Sequence, residues 1–494
     1  AAMSDFAISD ITAALDRAGL LAGTRGALPA RAVGIADDSR RVEPGGLFVA
    51  VRGSARDGHE YLPTAAERGA AAAIVEDPER TALPAIVVRE GRRAAAVAAA
   101  AAYGEPAADL TLVAVTGTNG KTTTVGILRH LLDRADARAA SIGTLGVLLG
   151  SAGEPVPGGG GLTTPGPVEL QRVLRTLADA GVRRVAMEVS SHSLDQRRVE
   201  GLAFDAAVFT NLTRDHLDYH GTMESYFGAK ARLVEHLKES GVAVVNADDT
   251  AWGGLPPVPR RVTFGSVERG GDVQAAHVEY GPRGSVFELR AGGGAVDVAL
   301  PLIGDFNVAN ALGAAAAAWA LGVSLEEVAR GLGTLPQVPG RLEIIHERPT
   351  VLRDYAHTPD ALERALAAVR PFARRRLIVL FGAGGDRDRG KRPLMGAAAV
   401  RGADLAIVTS DNPRTEDPEA ILDDIERGMA GDGGAPHERI EDRREAIRRA
   451  LDVAHEDDVI LLAGKGHENY QIRGTTSHPF DEREIVRELA GGAA

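Results

Sequence analysis

Short apolar runs recur along the chain, and each ends in a polar or glycine-rich cluster. Runs of three to five residues that are rich in β-branched and small side chains are typical of buried parallel strands. They lie at 111–115, 185–187, 206–209 and 242–245, and again at 377–381, 405–408 and 459–462. Because open α/β sheets bind ligands beyond the carboxyl ends of their strands, we expect two doubly wound sheets with a site along that edge of each.

Two breaks in the pattern divide the chain into three parts. One is Gly104-Glu105-Pro106, and the other is the segment 336–340. A chain of 494 residues also has room for about three domains. We therefore expect an α/β protein with domains at 1–107, 108–340 and 341–494, of which the second holds a parallel sheet and the third is doubly wound and Rossmann-like. The proline- and glycine-rich stretch 155–161 predicts a loop.

Composition narrows the class of protein. The formal net charge of −12 argues against nucleic acid or an anionic membrane as a partner. The absence of cysteine excludes disulfides, thiolate metal sites and cysteine nucleophiles. No signal peptide or membrane-spanning run is visible in the sequence, and we expect a cytoplasmic monomer.

The chain strongly prefers arginine to lysine. Among 56 basic residues the only lysines are Lys121, Lys230, Lys238, Lys391 and Lys465. An amine loses its proton near neutral pH far more readily than a guanidinium does. Lysine positions are therefore candidates for chemistry that arginine cannot perform.

A candidate phosphate-binding loop at 116–124 follows a predicted strand and precedes the apolar helix predicted at 125–132. Its glycines allow the backbone N–H groups to surround phosphate oxygens. Lys121 would reach the terminal phosphates, and Thr122 would offer its hydroxyl to Mg²⁺. The strict Walker pattern is not met, because its first glycine would fall at Val115. A tight strand–helix turn is the alternative interpretation.

A metal site is predicted beside this loop. Glu188 ends one predicted strand, and His216 follows the next, so a carboxylate and an imidazole could meet at a hard cation. Helix capping and surface ion pairs are the structural alternatives. Lys230 lies on a predicted helix, and its amine could react with CO₂ to give a carbamate, which is an oxygen ligand. Composition alone favours the alternative, an ordinary solvated helix lysine.

The motifs together resemble those of the Mur ligases, over essentially the whole chain. The matching segments, in family order and approximate spacing, are 116–124, Glu188-Val189-Ser190-Ser191-His192, Asn211–Asp218 with Lys230, and Asp411-Asn412-Pro413-Arg414. The resemblance implies a first domain for a UDP-sugar, a central ATPase domain and a C-terminal amino-acid domain. Within the family, the Asp-Asn-Pro-Arg motif goes with members that add diaminopimelate.

The resemblance also implies roles for individual residues. The implied catalytic residues are Lys121, Glu188, His216 and Lys230. The implied metal ligands are Thr122 and Glu188 for one Mg²⁺, with Glu188, His216 and carbamylated Lys230 around a second. The implied ATP contacts are Gly117, Thr118, Asn119, Gly120, Lys121, Thr122, Thr123, Asn307, Asn310, Arg341 and Asp354. For the last four, helix capping or an interdomain salt bridge is an alternative explanation.

Two further groups of residues are implied to hold the other substrates. The UDP-sugar-peptide contacts are Asp38, Ser39, Ser54, Ala55, Arg56, Thr163, Thr164, Ser190, Gln196 and Arg198. The diaminopimelate contacts are Arg387, Asp411, Asn412, Pro413, Arg414, Gly464 and Glu468. The two arginines could each grip a carboxylate bidentately, whereas Asp411, Asn412 and Glu468 could accept from the distal ammonium.

The implied reaction is ATP-dependent amide formation in the synthesis of a peptidoglycan precursor. ATP would phosphorylate the D-glutamyl side chain of UDP-N-acetylmuramoyl-L-Ala-D-Glu, and meso-diaminopimelate would attack the acyl phosphate, with Mg²⁺ as cofactor. Two alternatives stay open. One is a related ligase that adds lysine or, like folylpolyglutamate synthase, glutamate; the other is an ATP-driven switch that forms no bond.

Overall fold

The computed structural model describes residues 5–53, 56–159, 161–430 and 434–491. Its three principal sheets are each built from one continuous section of the chain. The first has five strands, the second eleven and the third six. No helix within these described ranges is both long and apolar enough to cross a membrane.

The first section forms the five-stranded sheet. Its elements are β1 Asp5–Ala7, α1 Ile8–Arg17, β2 Leu21–Arg25, β3 Arg31–Val33, β4 Ile35–Ala36, β5 Leu47–Val49, α2 Leu62–Glu67, β6 Ala72–Val75, β7 Ala85–Val88 and α3 Gly91–Ala102. The strand order is β2-β7-β6-β5-β4, and β1 pairs separately with β3. Helix α3 buries six of its alanines, five of them in the core below the sheet, which lets α1 and α3 pack closely there.

The second section forms the eleven-stranded sheet. Its elements are β8 Thr111–Thr116, α4 Lys121–Leu132, β9 Arg138–Gly143, β10 Gly146–Leu149, β11 Glu154–Val156, α5 Pro167–Asp179, β12 Val182–Glu188, α6 Ser191–Asp195, β13 Phe204–Phe209, α7 Leu217–His220, α8 Met223–Ala231, β14 Leu237–Asn246, β15 Arg260–Ser266, β16 Val273–Gly281, β17 Gly284–Ala291, β18 Gly294–Leu300, α9 Asp305–Ala320 and α10 Leu325–Gly333. The order is β11-β10-β9-β12-β8-β13-β14-β15-β16-β17-β18.

The middle of this sheet is parallel and both of its edges are antiparallel. Strands β9, β12, β8, β13, β14, β15 and β16 run in parallel, whereas β10, β11, β17 and β18 are joined as hairpins. Separate apolar clusters cover the two faces, so β8 and β13 are buried on both sides. A strand buried in this way needs a continuous apolar sequence, as 111–115 has.

The loop predicted at 155–161 is only partly a loop. Pro155 and Val156 belong to β11, which pairs with β10 at the edge of the sheet. An edge strand leaves some N–H positions unpaired, so a proline is tolerated there. The prediction was wrong for these two residues; Gly160 lies outside the described residues.

The third section forms the six-stranded sheet. Its elements are β19 Glu343–Glu347, β20 Thr350–Asp354, α11 Pro359–Val369, β21 Leu377–Phe381, α12 Lys391–Gly402, β22 Leu405–Val408, α13 Pro418–Glu426, β23 His437–Arg439, α14 Arg443–Val453, β24 Val459–Ala463, β25 Tyr470–Arg473, β26 Thr476–Pro479 and α15 Glu482–Gly491. The order is β19-β20-β24-β21-β22-β23, with all pairs parallel except β19 with β20. Apolar clusters lie on both of its faces, as in a doubly wound sheet. The predicted α/β class with parallel-rich sheets is confirmed.

Candidate active site

The loop after β8 has the geometry of a phosphate-binding loop. Strand β8 ends at Thr116, and α4 begins at Lys121. Gly117 and Gly120 both have positive φ angles, of 146° and 85°. A Cβ atom on Gly117 would lie 1.9 Å from Thr210 Oγ1, and one on Gly120 would lie 2.1 Å from Asn310 Oδ1. Both positions therefore require glycine, and the loop delivers its N–H groups to the start of a helix.

A cavity of about 250 Å³ lies in front of this loop. Its walls come from the second and third sections of the chain. The lining residues include Thr118, Asn119, Gly120, Lys121, Thr122, Thr123, Thr144, Thr163, Glu188, Asp215, His216, Asn310, Arg341, Asp354, Tyr355 and His357. The structure thus brings together most of the residues that the sequence predicted to surround ATP and the metal.

Two lysines, the half-buried Lys121 and the buried Lys230, donate to carbonyl oxygens of the loop. Lys121 Nζ donates to the carbonyls of Gly117 and Thr118, both at 2.9 Å. Lys230, on α8, donates to the same Gly117 carbonyl at 2.7 Å. Burial lowers the pKa of Lys121, and burial together with the nearby charge of Lys121 lowers the pKa of Lys230 well below its ordinary value. This shift favours the neutral amine of Lys230 over the ammonium.

Glu188 is held at the end of β12 by a residue that the sequence analysis missed. Its carboxylate accepts from the backbone N–H of Thr144 at 2.8 Å and from the Thr144 hydroxyl at 3.1 Å. Gly143 makes room for it, because a Cβ there would lie 2.3 Å from Glu188 Oε1. Thr144 directly follows β9, so the strand-end rule would have found it had this weakly apolar strand been recognised.

His216 lines the same cavity from the loop that leads into α7. Its backbone is left-handed, with φ of 53°. Burial lowers its pKa, which favours the neutral imidazole, a form able to coordinate a cation. Asp215, to which no role was predicted, lies 3.5 Å from its ring nitrogen and opposes that shift.

The remaining predicted nucleotide contacts line the cavity or support the loop. Asn310 lies against Gly120 and donates to Asn307 Oδ1 at 3.2 Å, while Asn307 donates to the Ile303 carbonyl. Arg341 donates to the Thr122 hydroxyl at 3.0 Å, and it comes from the segment that joins the second and third sheets.

Asp354 closes the third-sheet side of the cavity. Its carboxylate accepts from the Leu342 backbone at 2.7 Å, and burial raises its pKa to about 6. Tyr355 and His357, which directly follow β20, line the same wall and were missed by the sequence analysis. Their position at a strand end was the available signal.

The donor set at the loop fits Mg²⁺. Among the described residues there is no group of three His, Asp or Glu side chains arranged to hold a metal. Mg²⁺ does not require one, because it is usually bound by one or two carboxylates together with water and phosphate oxygens. Glu188 and the Thr122 hydroxyl offer hard oxygen donors in one cavity, and His216 adds a nitrogen.

The predicted sugar-peptide residues form one network next to Glu188. The Thr164 hydroxyl donates to the Glu188 carbonyl at 2.9 Å and accepts from the Ser190 backbone at 3.1 Å. Arg198 donates to the Thr164 carbonyl and to Gln196 Oε1. Thr163 joins through a 3.3 Å contact with the Thr144 hydroxyl.

The predicted nucleotide-end residues lie on the first section instead. Asp38 caps a short 3₁₀ turn that contains the buried Ser39, and it pairs with Arg40. Arg56 donates to the Tyr61 hydroxyl at 3.1 Å. Ser54 and Ala55 lie outside the described residues.

The predicted amino-acid residues gather at the carboxyl ends of β21, β22 and β24. Arg414 donates to the Gly385 carbonyl at 2.8 Å, and the exposed Arg387 donates to the Asp386 carbonyl at 3.0 Å. Asp411, Asn412, Pro413 and Gly464 are buried, and Glu468 is half-buried. Burial and the charge of Asp411 raise the pKa of the Glu468 carboxyl.

One expectation about this cluster is wrong in detail. The Asn412 oxygen accepts from Lys465 Nζ at 3.0 Å and from the Ile472 backbone at 2.9 Å. Its amide nitrogen therefore faces Glu468 and donates to Oε2 at 2.8 Å. Asn412 is a donor on this side and does not accept from a substrate ammonium, because its acceptor oxygen already has two protein donors.

A larger cavity in the described part of the chain, of about 840 Å³, lies away from this chemistry. It separates the β16–β17 turn from β19 and β20, and Arg341 is the only predicted site residue along it. We assign the active site to the smaller cavity, because the phosphate loop, the carboxylate and the imidazole converge there.

These features define a class of protein: a three-sheet α/β enzyme in which a loop with phosphate-binding geometry faces the third sheet across one cavity. Comparison with known proteins then gives the family. Residues 31–113 match the Mur ligase family catalytic domain, 115–318 the Mur ligase middle domain and 340–466 the Mur ligase glutamate ligase domain. The chain belongs to the Mur ligase family.

Three similar proteins illustrate the relationship. A Geobacillus thermodenitrificans (strain NG80-2) protein named UDP-N-acetylmuramoyl-L-alanyl-D-glutamate--2,6-diaminopimelate ligase is 47% identical over 462 residues, which cover 91% of this chain and 93% of the relative. A solved structure of a ligase with that name is 38% identical, covers 93% of this chain and 94% of its own, and has a TM-score of 0.65. The Thermotoga maritima MurF ligase, solved with ADP, shares the fold at 21% identity, with coverages of 92% and 96% and a TM-score of 0.63.

Proposed function

We propose that this chain is the ATP-dependent ligase that joins meso-diaminopimelate to UDP-N-acetylmuramoyl-L-Ala-D-Glu in peptidoglycan precursor synthesis. The curated relatives that carry this name, at 44–47% identity over most of the chain, support the activity. The alternatives that the sequence left open, a lysine- or glutamate-adding ligase and a switch that forms no bond, become outcomes of the test below.

One structural observation carries the proposal. The phosphate loop and Glu188 share a single cavity with Arg341, Asp354, Tyr355 and other residues of the third section. Tyr355 on this cavity wall also packs against His467, the neighbour of Glu468 in the predicted amino-acid cluster, with the ring centroids 5.4 Å apart. A pure ATPase switch does not need such a link, whereas an enzyme that transfers an activated carboxyl group to an amine needs its nucleotide site and its amine site close together.

In this mechanism, the γ-phosphoryl group of ATP is transferred to the D-glutamyl side-chain carboxylate, and ADP leaves. The loop N–H groups and Lys121 hold the phosphates and offset the charge that develops during transfer. The amine of diaminopimelate then attacks the acyl phosphate carbonyl. Loss of phosphate and of a proton from the tetrahedral intermediate leaves the amide.

Mg²⁺, when bound, supplies positive charge at the phosphate oxygens. Thr122, Glu188 and His216 would hold it, and Glu188 is fixed for this role by Thr144. Lys230 would contribute through a carbamate: its neutral amine adds to CO₂, releases one proton and becomes an anionic oxygen donor. The buried position and lowered pKa of Lys230 support this step.

The first section would bind the UDP end of the acceptor substrate, through Asp38, Ser39 and the 54–56 segment. The network of Thr164, Ser190 and Arg198 would bind its sugar-peptide end beside Glu188.

In the third section, Arg414 and Arg387 would bind carboxylates of diaminopimelate, and Asp411 and Glu468 would accept hydrogen bonds from its distal ammonium. With lysine, which lacks the distal carboxylate, an arginine would lose a charge-assisted contact, which favours diaminopimelate.

An amino-acid panel tests the proposal. The purified protein is supplied with ATP, Mg²⁺ and the UDP-linked dipeptide together with meso-diaminopimelate, L-lysine or L-glutamate in turn. Phosphate release and the mass of the amide product are measured for each. We expect a product with meso-diaminopimelate, at a kcat/KM at least tenfold above the value for lysine.

Each alternative predicts a different result. A higher kcat/KM for lysine would reject the assignment of the amino acid. Glutamate addition in a parallel assay, with a folate in place of the UDP-linked dipeptide, would identify a folylpolyglutamate synthase. ATP hydrolysis that is independent of both other substrates would identify a switch. The Lys238→Ala variant is the control, because Lys238 pairs with Asp205 outside the cavity.

A further inference from the structure

Lys465 is a fully buried lysine outside the phosphate site. It follows β24 in the loop that also carries Gly464 and Glu468, and no role has been given to it so far. A buried ammonium is costly unless acceptors surround it. The contacts of Lys465 therefore identify the acceptors that stabilise its charge and the side chains that it positions.

Four acceptor oxygens converge on the Lys465 ammonium. Nζ donates to the Tyr470 carbonyl at 2.7 Å and to Asn412 Oδ1 at 3.0 Å. It makes a long hydrogen bond of 3.5 Å to Glu468 Oε2, and it lies 3.5 Å from Asp411 Oδ1. One cation thus links the loops that follow β22 and β24, both of which face the amino-acid site.

The chemistry of these donors fixes the orientation of the Asn412 amide. Lys465 Nζ and the Ile472 N–H have hydrogens to give and no lone pair to offer. Only the amide oxygen satisfies them, so the amide nitrogen must point the other way, toward Glu468. Without Lys465, one of the two groups that prevent the amide from flipping would be lost.

The same cation leaves acceptors available to the substrate. Asp411 Oδ1 is buried and accepts no hydrogen bond from the described residues, although Lys465 Nζ lies 3.5 Å from it. Glu468 lies beside it and is only half-buried. Lys465 offsets part of the repulsion between these two carboxylates, which lets both remain close together at one edge of the sheet.

We propose that Lys465 is a positioning residue that holds Asn412 as a hydrogen-bond donor and keeps Asp411 and Glu468 as the acceptors for the distal ammonium of the amino-acid substrate. This inference rests on the proposed function and adds a residue that sets its specificity. It predicts that Lys465 acts on recognition of the distal amino-acid centre and leaves phosphoryl transfer unaffected.

The test compares meso-diaminopimelate with 2-aminopimelate, which lacks the distal amine. In Lys465→Met we expect the KM for diaminopimelate to rise at least tenfold, with kcat within about threefold and the KM values for ATP and the UDP-linked dipeptide unchanged. The ratio of kcat/KM between the two amino acids should fall about tenfold. Lys238→Met is the matched control and should keep the wild-type ratio.

A double variant tests the route through Asn412. If Lys465 acts largely through this amide, Lys465→Met added to Asn412→Ala should change the KM for diaminopimelate by no more than about twofold. If the increases in KM of the two single variants multiply in the double variant, Lys465 does not act through the Asn412 amide. An unchanged amino-acid ratio in folded Lys465→Met would overturn the proposal itself.

Asn412→Asp keeps the proposal testable if Lys465→Met does not fold. With the nitrogen facing Glu468, this change places two carboxylate oxygens together, so the KM for diaminopimelate should rise further than in Asn412→Ala. A smaller rise than in Asn412→Ala would show that the oxygen faces the substrate and would overturn the proposal. Wild-type protein that forms no amide with diaminopimelate would instead refute the proposed function.

Discussion

The two strand edges that carry the predicted site residues, at the ends of β8 and β24, hold their lysines in different ways. At the end of β8, Lys121 and Lys230 donate to backbone carbonyls of the phosphate loop, and Lys230 Nζ also lies 4.6 Å from the centroid of the Tyr226 ring; neither makes an ion pair with a carboxylate among the described residues. At the end of β24, Lys465 is held by an amide oxygen and two carboxylates as well as a carbonyl. A lysine without a carboxylate partner is free to meet an anion or to lose its proton, whereas Lys465 serves as a fixed cation.

This difference also explains why lysine remains in a chain that otherwise prefers arginine. Arginine cannot be neutralised near pH 7, so it cannot replace an amine that must react. Nor does its planar fork match four oxygens gathered around one nitrogen. Substitutions of residues at the end of β8 should therefore lower kcat, whereas substitutions at the amino-acid edge should raise the KM for the amino acid.

The largest effect is expected at Lys230. Lys230→Ala removes the group that would carry the carbamate, and we expect kcat to fall by about 10³-fold or more, the upper range for loss of an electrostatic group. Lys230→Arg should be equally inactive, because a guanidinium does not form the carbamate. Partial recovery of Lys230→Ala in high concentrations of a small carboxylate, measured as amide product, would support the role. Full activity of Lys230→Ala would eliminate it.

Lys121 should rank next. Lys121→Ala removes a cation from the phosphate site, and we expect a fall in kcat of about 10²–10³-fold, with phosphate release as the readout. The effect should be the same with every amino acid in the panel. A loss that depended on the amino acid would contradict the separation between the two edges.

At the amino-acid edge, the expected effect is on binding. Arg414→Ala should raise the KM for meso-diaminopimelate about 10- to 100-fold and leave kcat nearly unchanged, as expected for loss of a charge-assisted hydrogen bond. Initial rates over a range of diaminopimelate concentrations measure this directly. If the KM stays the same, Arg414 does not grip the carboxylate.

The remaining effect is on stability rather than on activity, and it arises at Asp354, in the cavity between the two edges. Burial raises the pKa of Asp354 to about 6 in the folded state. The folded protein therefore binds this proton more tightly than the unfolded chain, so the free energy of unfolding falls as the pH rises from about 4 to about 6, by at most about 3 kcal/mol. Asp354→Asn should remove this loss.

Tm values of the wild type and of Asp354→Asn, measured between pH 4 and pH 7.5, check this prediction. The Tm of Asp354→Asn should rise relative to that of the wild type as the pH rises. A Tm difference that is constant over this range would mean that the carboxyl has the same pKa in the folded and unfolded chains.

The sequence predicted the buried strands well and the marginal ones poorly. The run 377–381 is β21 to the residue, because a strand buried on both faces must be continuously apolar. Strand β9 was missed, since Arg138–Gly143 has only one β-branched apolar residue, and Thr144 was missed with it. The hairpin strands at the edges of the second sheet were missed because one face of such a hairpin is polar, which interrupts the apolar run in the sequence.

The candidate site shows the same limit. The phosphate loop and Glu188 follow recognisable strands, so their convergence was predictable. The orientation of Asn412 was not, because it depends on Lys465, 53 residues further along the chain, and on the Ile472 backbone. Motif spacing identifies which residues approach the substrate, but not which atom of an amide is already engaged.

Gly340 joins the second and third sheets in a left-handed conformation, with φ of 67°. A Cβ there would lie 2.2 Å from the His467 nitrogen, so the joint is in contact with the loop of Lys465 and Glu468. A side chain at this position would have to displace the backbone of that loop as well as adopt the left-handed conformation. The joint between the second and third sheets therefore constrains the strand end that carries Gly464 and Glu468.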